Sequence, residues 1–150
     1  MKARLNYAEV APNALKAMLE IEKYVRGSGL ELSLYELVKT RASQINGCAY
    51  CIDMHTKDAR KAGETEQRLY ALSAWRETPF YTERERAALA WTEAMTLISN
   101  NDMPDDLYET VSKYFTEKER VALTMAIIAI NGWNRLAIGF RTVPGTYTPQ

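Results

Sequence analysis

Residues 34–63, LYELVKTRASQINGCAYCIDMHTKDARKAG, hold both cysteines of this 150-residue chain and its only histidine. Leu34, Leu37, Val38, Ala42 and Ile45 recur at helical spacing until Asn46-Gly47, a helix-stop signal. A second helix then runs from Cys48 to Ala62 and closes at Gly63. Two helices meeting at a glycine, with Cys48, Cys51 and His55 just beyond it, give a helical protein with its chemistry at a helix start. Two cysteines placed at random in such a chain fall three apart only about once in 75 arrangements, so the spacing is itself informative.

Outward from this pair the chain continues to read as helix. Pro12 suits a first helical turn, and Leu15, Met18, Ile21 or Leu19, and Val25 make one apolar face before Gly27 and Gly29. A short helix from about Thr65 carries Leu69, Leu72 and Trp75. Thr82 with Glu85, and Thr116 with Glu119, each fit the capping box, opening helices near 83–99 and 117–140. Pro104, Asp105 and Asp106 open another between them, with Leu107, Val111 and Tyr114 expected to face inward. No alternating run competes as a strand. The expected fold is all-α, one domain of about seven helices over 1–150, with its redox core at about 30–77.

One echo stands out. Ile45-Asn46-Gly47 returns 85 positions later as Ile130-Asn131-Gly132, and Leu37, Val38 and Ala42 align with Ala122, Leu123 and Ile127. A duplicated two-helix unit is one reading of it and chance is the other. In the duplicated reading only the first copy carries chemistry, Trp133 and Leu136 standing where Cys48 and Cys51 stand.

Nineteen basic residues balance nineteen acidic ones with no long basic run, which argues against a nucleic-acid surface. The start MKARLNYAEVAPNALK has no apolar stretch of signal-peptide length, and the run VALTMAIIAI at 121–130 is short for a bilayer. The expectation is a cytoplasmic protein with no membrane or nucleic-acid partner. In that compartment a Cys-x-x-Cys pair points to catalysis, redox exchange or metal rather than to a structural bond.

At about 100° per residue, Cys48, Cys51 and His55 fall within roughly 60° of one another around a helix axis. Cys51 and His55 stand at i and i+4, so the imidazole can lie over the thiol. Unpaired amides and the positive dipole end in a first turn favour a thiolate, and so does a neighbouring histidine. Disulfide closure at i, i+3 requires the first turn to adjust, because helical Cβ atoms at that spacing lie about 5–6 Å apart. Two other readings stay open: buried cysteines as small apolar fillers, and a zinc clip of Cys48, Cys51 and His55. The clip needs a fourth ligand from Glu36, Asp53, water or another subunit.

With Glu36 added, the pattern E-x11-C-x-Y-C-x3-H resembles the core of the alkyl hydroperoxidase D-like proteins of the carboxymuconolactone decarboxylase superfamily. RASQINGCAYCIDMHTKDARKAGE at 41–64 carries the likeness beyond the cysteines, and NRLAIGFRTVPG at 134–145 is similar to the ending of that group's relatives. The resemblance implies a thiol peroxidase or disulfide reductase without metal or organic cofactor. It implies a hydroperoxide substrate, a dithiol reductant, and a homo-oligomer, trimer or hexamer. It makes Cys51 the peroxidatic thiol, Cys48 the resolving one, His55 the proton acceptor, and Glu36 the residue that orients His55. For Glu36 it is the whole case, since an acidic helix residue is by default solvated. The best-studied subgroup has a second histidine between the cysteines, where this chain has Tyr50, a weaker proton carrier with an ordinary pKa of about 10. The decarboxylase branch works without the cysteine pair, which argues against that chemistry here. A disulfide-exchange or redox-sensing protein without fast peroxide turnover is the alternative.

Trp75, Trp91 and Trp133 fall among helical apolar positions and read as core or interface. The stretch 121–130 is apolar nearly all round, so several of its sides need cover, and a subunit interface would supply it. Asn131, Asn134 and Arg135 read either as a polar helix end or as a hydrogen-bonded subunit contact.

Overall fold

The computed structural model describes residues 1–149. Eight α-helices follow one another among these residues: α1 Tyr7–Val10, α2 Pro12–Arg26, α3 Leu32–Asn46, α4 Ala49–Lys61, α5 Glu66–Ala71, α6 Glu83–Thr96, α7 Asp105–Tyr114 and α8 Glu117–Phe140. The all-α expectation is met, and the additional helix is α1, a single turn capped by the Asn6 side chain. One turn is too short to show a period, which is why the sequence reading passed over it. Trp75 sits in a 3-10 segment, Leu72–Glu77, where Ala74 breaks the helical dihedrals, and α6 stops at Thr96, short of 99.

Helix α3 is the central element, packed against α4, α6 and α8. Leu34 and Val38 join Ala88, Val111, Leu123 and Ile127 in one apolar cluster, while Leu37 joins Leu69, Leu72, Trp75 and Leu89 in a second. Ala42 meets Cys48, Cys51, Ile130 and Ala137 in a third. Each large buried side chain stabilises the fold by roughly 1.5–3 kcal/mol, and α3 contributes to every one of these clusters. Both capping boxes form: Thr82 and Thr116 each accept from the third amide of their helix, and Glu85 and Glu119 reach back. Arg84 gathers the far edge, bonding Glu31, Glu119 and the Tyr114 carbonyl and lying 4.0 Å over the Phe115 ring. Tyr114 itself is exposed rather than inward-facing, because Leu107 and Val111 already fill the face that α7 turns to the core.

Helix α8 has 24 residues, long and apolar enough by composition to cross a bilayer. Here Ala122, Leu123, Ala126, Ile127, Ala129 and Ile130 are buried in the chain's own core. Val121 and Ile128, two turns apart on one face, stay 56% and 46% exposed, so the expected cover is incomplete within one chain. Asn131 and Asn134 do not end the helix. They accept from the Asn46 side chain at 3.0 and 2.8 Å, and Asn134 donates to Ser43 Oγ at 3.0 Å. Arg135 folds back on the Asn131 carbonyl at 2.8 Å. The asparagines therefore bind α3 to α8 inside the chain.

The repeated triplet has two outcomes. At Gly47 (φ 70°) α3 ends in a Schellman turn: the Gly47 amide donates to the Gln44 carbonyl and the Cys48 amide to that of Ser43. At Gly132 the helix runs straight on, and a Cβ there would meet only the flexible end of Met18, at 2.8 Å. The break itself is thus not repeated: α3 stops where α8 continues. Gly47→Ala should cost about 1–2 kcal/mol, since an L side chain resists the left-handed region. Gly132→Ala should stay within about 0.5 kcal/mol of the parent, helix propensity offsetting the contact. Urea unfolding of the two variants checks the contrast.

Candidate active site

The chemistry-bearing residues are placed by the turn at 46–48. Cys48 is the N-cap of α4, with extended backbone (φ −86°, ψ 94°), and its Sγ accepts from the Cys51 amide at 3.4 Å. Moving Cys48 out of the helix is the adjustment that i, i+3 closure needs. The two cysteines are joined as a disulfide with Cα atoms 5.4 Å apart, and both are buried. In this form neither sulfur is free to serve the zinc clip considered from sequence.

His55 lies one turn beyond Cys51 and is buried. Its Nδ1 is 2.8 Å from Glu36 Oε2, and Glu36 is only 1% exposed. The default of a solvated helix carboxylate fails here because α3 turns Glu36 toward α4. With Nδ1 facing a carboxylate, the neutral ring carries its proton there and leaves the Nε2 lone pair available. Nε2 is buried and has no hydrogen-bond partner among the described residues. Glu36, His55 and Asp58 bring three possible metal-ligand atoms within 4.8 Å of one another. His55 already engages Glu36, and Asp58 accepts from the Tyr147 hydroxyl at 2.8 Å.

Cys51 and His55 line a cavity of about 360 Å³, together with Tyr50 and Met54 of the same helix. Cys48 does not line it, and instead borders a smaller cavity of about 230 Å³ beside Gly47, Ala49 and Arg141. Residues outside α4 that reach the larger cavity include Glu22, Tyr35, Lys39 and Trp133. Glu22 accepts from Tyr35 Oη, from Lys39 Nζ and from Trp133 Nε1, the last at 2.7 Å. Burial pushes the Glu22 carboxyl up, but the Lys39 charge and these three donors together hold it below its ordinary value. Burial also pushes Lys39 down, further than the Glu22 charge draws it up. Tyr35 is raised by burial and by the adjacent Glu22 carboxylate, so it stays a donor.

This second cluster was missed from sequence. Its one readable signal is Tyr35 and Lys39 at i, i+4, beside Glu36 on a helix with an apolar face, which by default reads as a solvated pair. Trp133, read as core or interface, packs on the cluster of Ala42, Cys48 and Cys51 and also lines the cavity. The C-terminal segment lies along α4: Lys57 Nζ donates to the Tyr147 carbonyl at 3.0 Å and the Gly145 amide to Asp53 at 3.1 Å. Burial and the Asp58 carboxylate push Tyr147 up to about 12.

Comparison with known proteins agrees with this layout. The model of the carboxymuconolactone decarboxylase family matches residues 12–94. The uncharacterized protein YdfG of Bacillus subtilis (strain 168) is 49% identical over 138 residues, covering 92% of this chain and 94% of its own. ATU0492 of Agrobacterium tumefaciens, a protein of unknown function provisionally described as the antioxidant defence protein AhpD, superposes with a TM-score of 0.94. It is 49% identical, over 97% of this chain and 100% of its own. An uncharacterized peroxidase-related protein from Silicibacter sp. TM1040 shares the fold at 22% identity, with a TM-score of 0.78 over 88% of this chain and 70% of its own. The fold, the matched stretch and the extent of these likenesses show that the chain belongs to the carboxymuconolactone decarboxylase family, as one of its alkyl hydroperoxidase D-like proteins.

Proposed function

We propose that the protein is a thiol-dependent reductase of organic hydroperoxides, returned to its dithiol form by a dithiol donor. The observation that carries this reading is the shared cavity, lined by Cys51 and by a His55 ring whose far nitrogen is held by buried Glu36. In the reduced protein His55 Nε2 takes the Cys51 thiol proton. The thiolate attacks the hydroxyl oxygen of the hydroperoxide: an S–O bond forms, the O–O bond breaks, and the leaving oxygen gains a proton to become an alcohol. Cys48 then attacks the sulfenic sulfur, an S–S bond replaces S–O, and water departs. The Cys51 amide aimed at Cys48 Sγ supports that second thiolate. A dithiol donor returns two electrons and two protons. A cavity of about 360 Å³ suits a hydroperoxide with a carbon skeleton better than hydrogen peroxide alone.

The homo-oligomer implied by the resemblance belongs to the same proposal, supported by the half-exposed Val121 and Ile128 on α8. Light scattering should then give three or six times the 17.1 kDa chain mass.

Stopped-flow mixing of the reduced protein with cumene hydroperoxide tests the chemistry. Cys51→Ser should abolish peroxide consumption, and Cys48→Ser should leave a sulfenic acid that dimedone labels. Consumption unchanged in the Cys51 variant would exclude the reading. Exchange with a dithiol without peroxide turnover would favour disulfide exchange instead. Glu36→Gln should slow Cys51 oxidation by on the order of 10²-fold with the disulfide still able to form, because the ring loses the carboxylate that orients it.

A further inference from the structure

Lys39 is 1% exposed, yet it lines the same cavity as Cys51. A buried ammonium is costly unless its charge is answered. Glu22 supplies one answer, and the Tyr35 ring, 4.3 Å from Nζ, supplies a second. Of the three N–H donors, only the one to Glu22 has a hydrogen-bond acceptor among the described residues. The cavity thus borders a fixed cation with donors to spare. Arg26, the other cation on the lining, is exposed and stacks on Tyr35.

Displacement at a peroxide oxygen is in line, so sulfur and the departing oxygen lie on opposite sides of the oxygen attacked. The oxygen that leaves is therefore directed away from Cys51, and the walls supplied by other helices include Glu22, Tyr35, Lys39 and Trp133. Lys39, from α3, is the buried proton donor on those walls with hydrogens unspent. His55 is on the same helix as the sulfur it serves.

We propose that the Lys39 ammonium is a catalytic residue that protonates the oxygen leaving from Cys51, with Glu22 and Tyr35 as the positioning residues that hold it at the cavity wall. The assignment rests on the hydroperoxide reading above. In the step, the Cys51 thiolate bonds to the hydroxyl oxygen, and the O–O electron pair goes to the alkoxy oxygen. Lys39 Nζ gives that oxygen a proton, the products being a sulfenic acid and an alcohol. The amine regains its proton from water once the alcohol has left. Burial, which holds Lys39 below the ordinary lysine range, makes the proton easier to give at neutral pH. Tyr50 is a poorer substitute, having no charge to stabilise a forming alkoxide.

The test varies the leaving group. An alkoxide needs a proton as it departs, whereas the carboxylate leaving from a peracid does not. Cys51 oxidation is followed by tryptophan fluorescence with cumene hydroperoxide and with peracetic acid, in the parent and in Lys39→Met. The ratio of the cumene hydroperoxide rate to the peracetic acid rate should fall by on the order of 10²-fold in the variant. An unchanged ratio, both rates falling together, would assign Lys39 a structural role and overturn the proposal while leaving the hydroperoxide reading intact. Absence of oxidation by cumene hydroperoxide in the parent overturns both. Because Lys39→Met leaves Glu22 without its counter-charge, the double variant Glu22→Gln/Lys39→Met, with neither charge, is measured beside it. The same drop in the ratio is expected, and iodoacetamide labelling of Cys51 reports that the thiolate persists.

Discussion

The reversal of the chain at Asn46-Gly47-Cys48 is the constraint on which the rest depends. Only a residue tolerant of φ near 70° lets α3 stop there, and the Cys48 amide completes the stop by donating to Ser43. The same Cys48 then caps α4 with its sulfur. One residue ends one helix and begins the next, so α3 and α4 pack in a fixed register. Through that register Glu36, on the first helix, meets His55, on the second, although 19 positions separate them. A shift of one position along either helix, about 100° of rotation, would turn one partner out of reach.

The interior built around this turn is unusually polar for a helical core. Glu36, Lys39, Thr40 and Ser43 on α3 are all buried, as are His55 on α4 and Asn134 on α8. Nearly all their polar atoms are answered: Glu36 by His55, Lys39 by Glu22, Ser43 by Asn134. Removing one member of such a pair strands a buried charge or donor, a loss larger than the net contribution of the pair. The exceptions among the described residues are Thr40 Oγ1 and His55 Nε2. A buried imidazole nitrogen without a partner stands apart in a core otherwise so well paired.

Most of the architecture was legible because its causes are local. Apolar spacing located the long helices, and Thr82-Glu85 and Thr116-Glu119 marked two starts that the structure reproduces. What escaped depends on tertiary context. Trp75 keeps helical spacing in sequence but packs from a 3-10 segment, because Ala74 bends the chain toward the Leu37 cluster. Tyr114 fits an apolar face but finds it already filled. Within the site, Cys51 and His55 share one helix and Cys48 caps it, so helical spacing made the trio legible. Glu36 needed the likeness to a family, and Lys39 offered only its i, i+4 spacing from Tyr35, with nothing to point to Glu22. A lysine and a glutamate 17 residues apart look like solvated charges until two helices enclose them.

The Arg84 knot ties the starts of α3 and α8 to the end of α7, and none of Arg84, Glu31, Glu119 or Phe115 borders the larger cavity. Its lining includes instead Tyr7, packed on Phe140, and Tyr147, moored to Asp58. Two parts of that lining are thus held differently: Cys51 and His55 by the buried packing of α4 against α3, Tyr7 and Tyr147 by single side-chain contacts to Phe140 and Asp58.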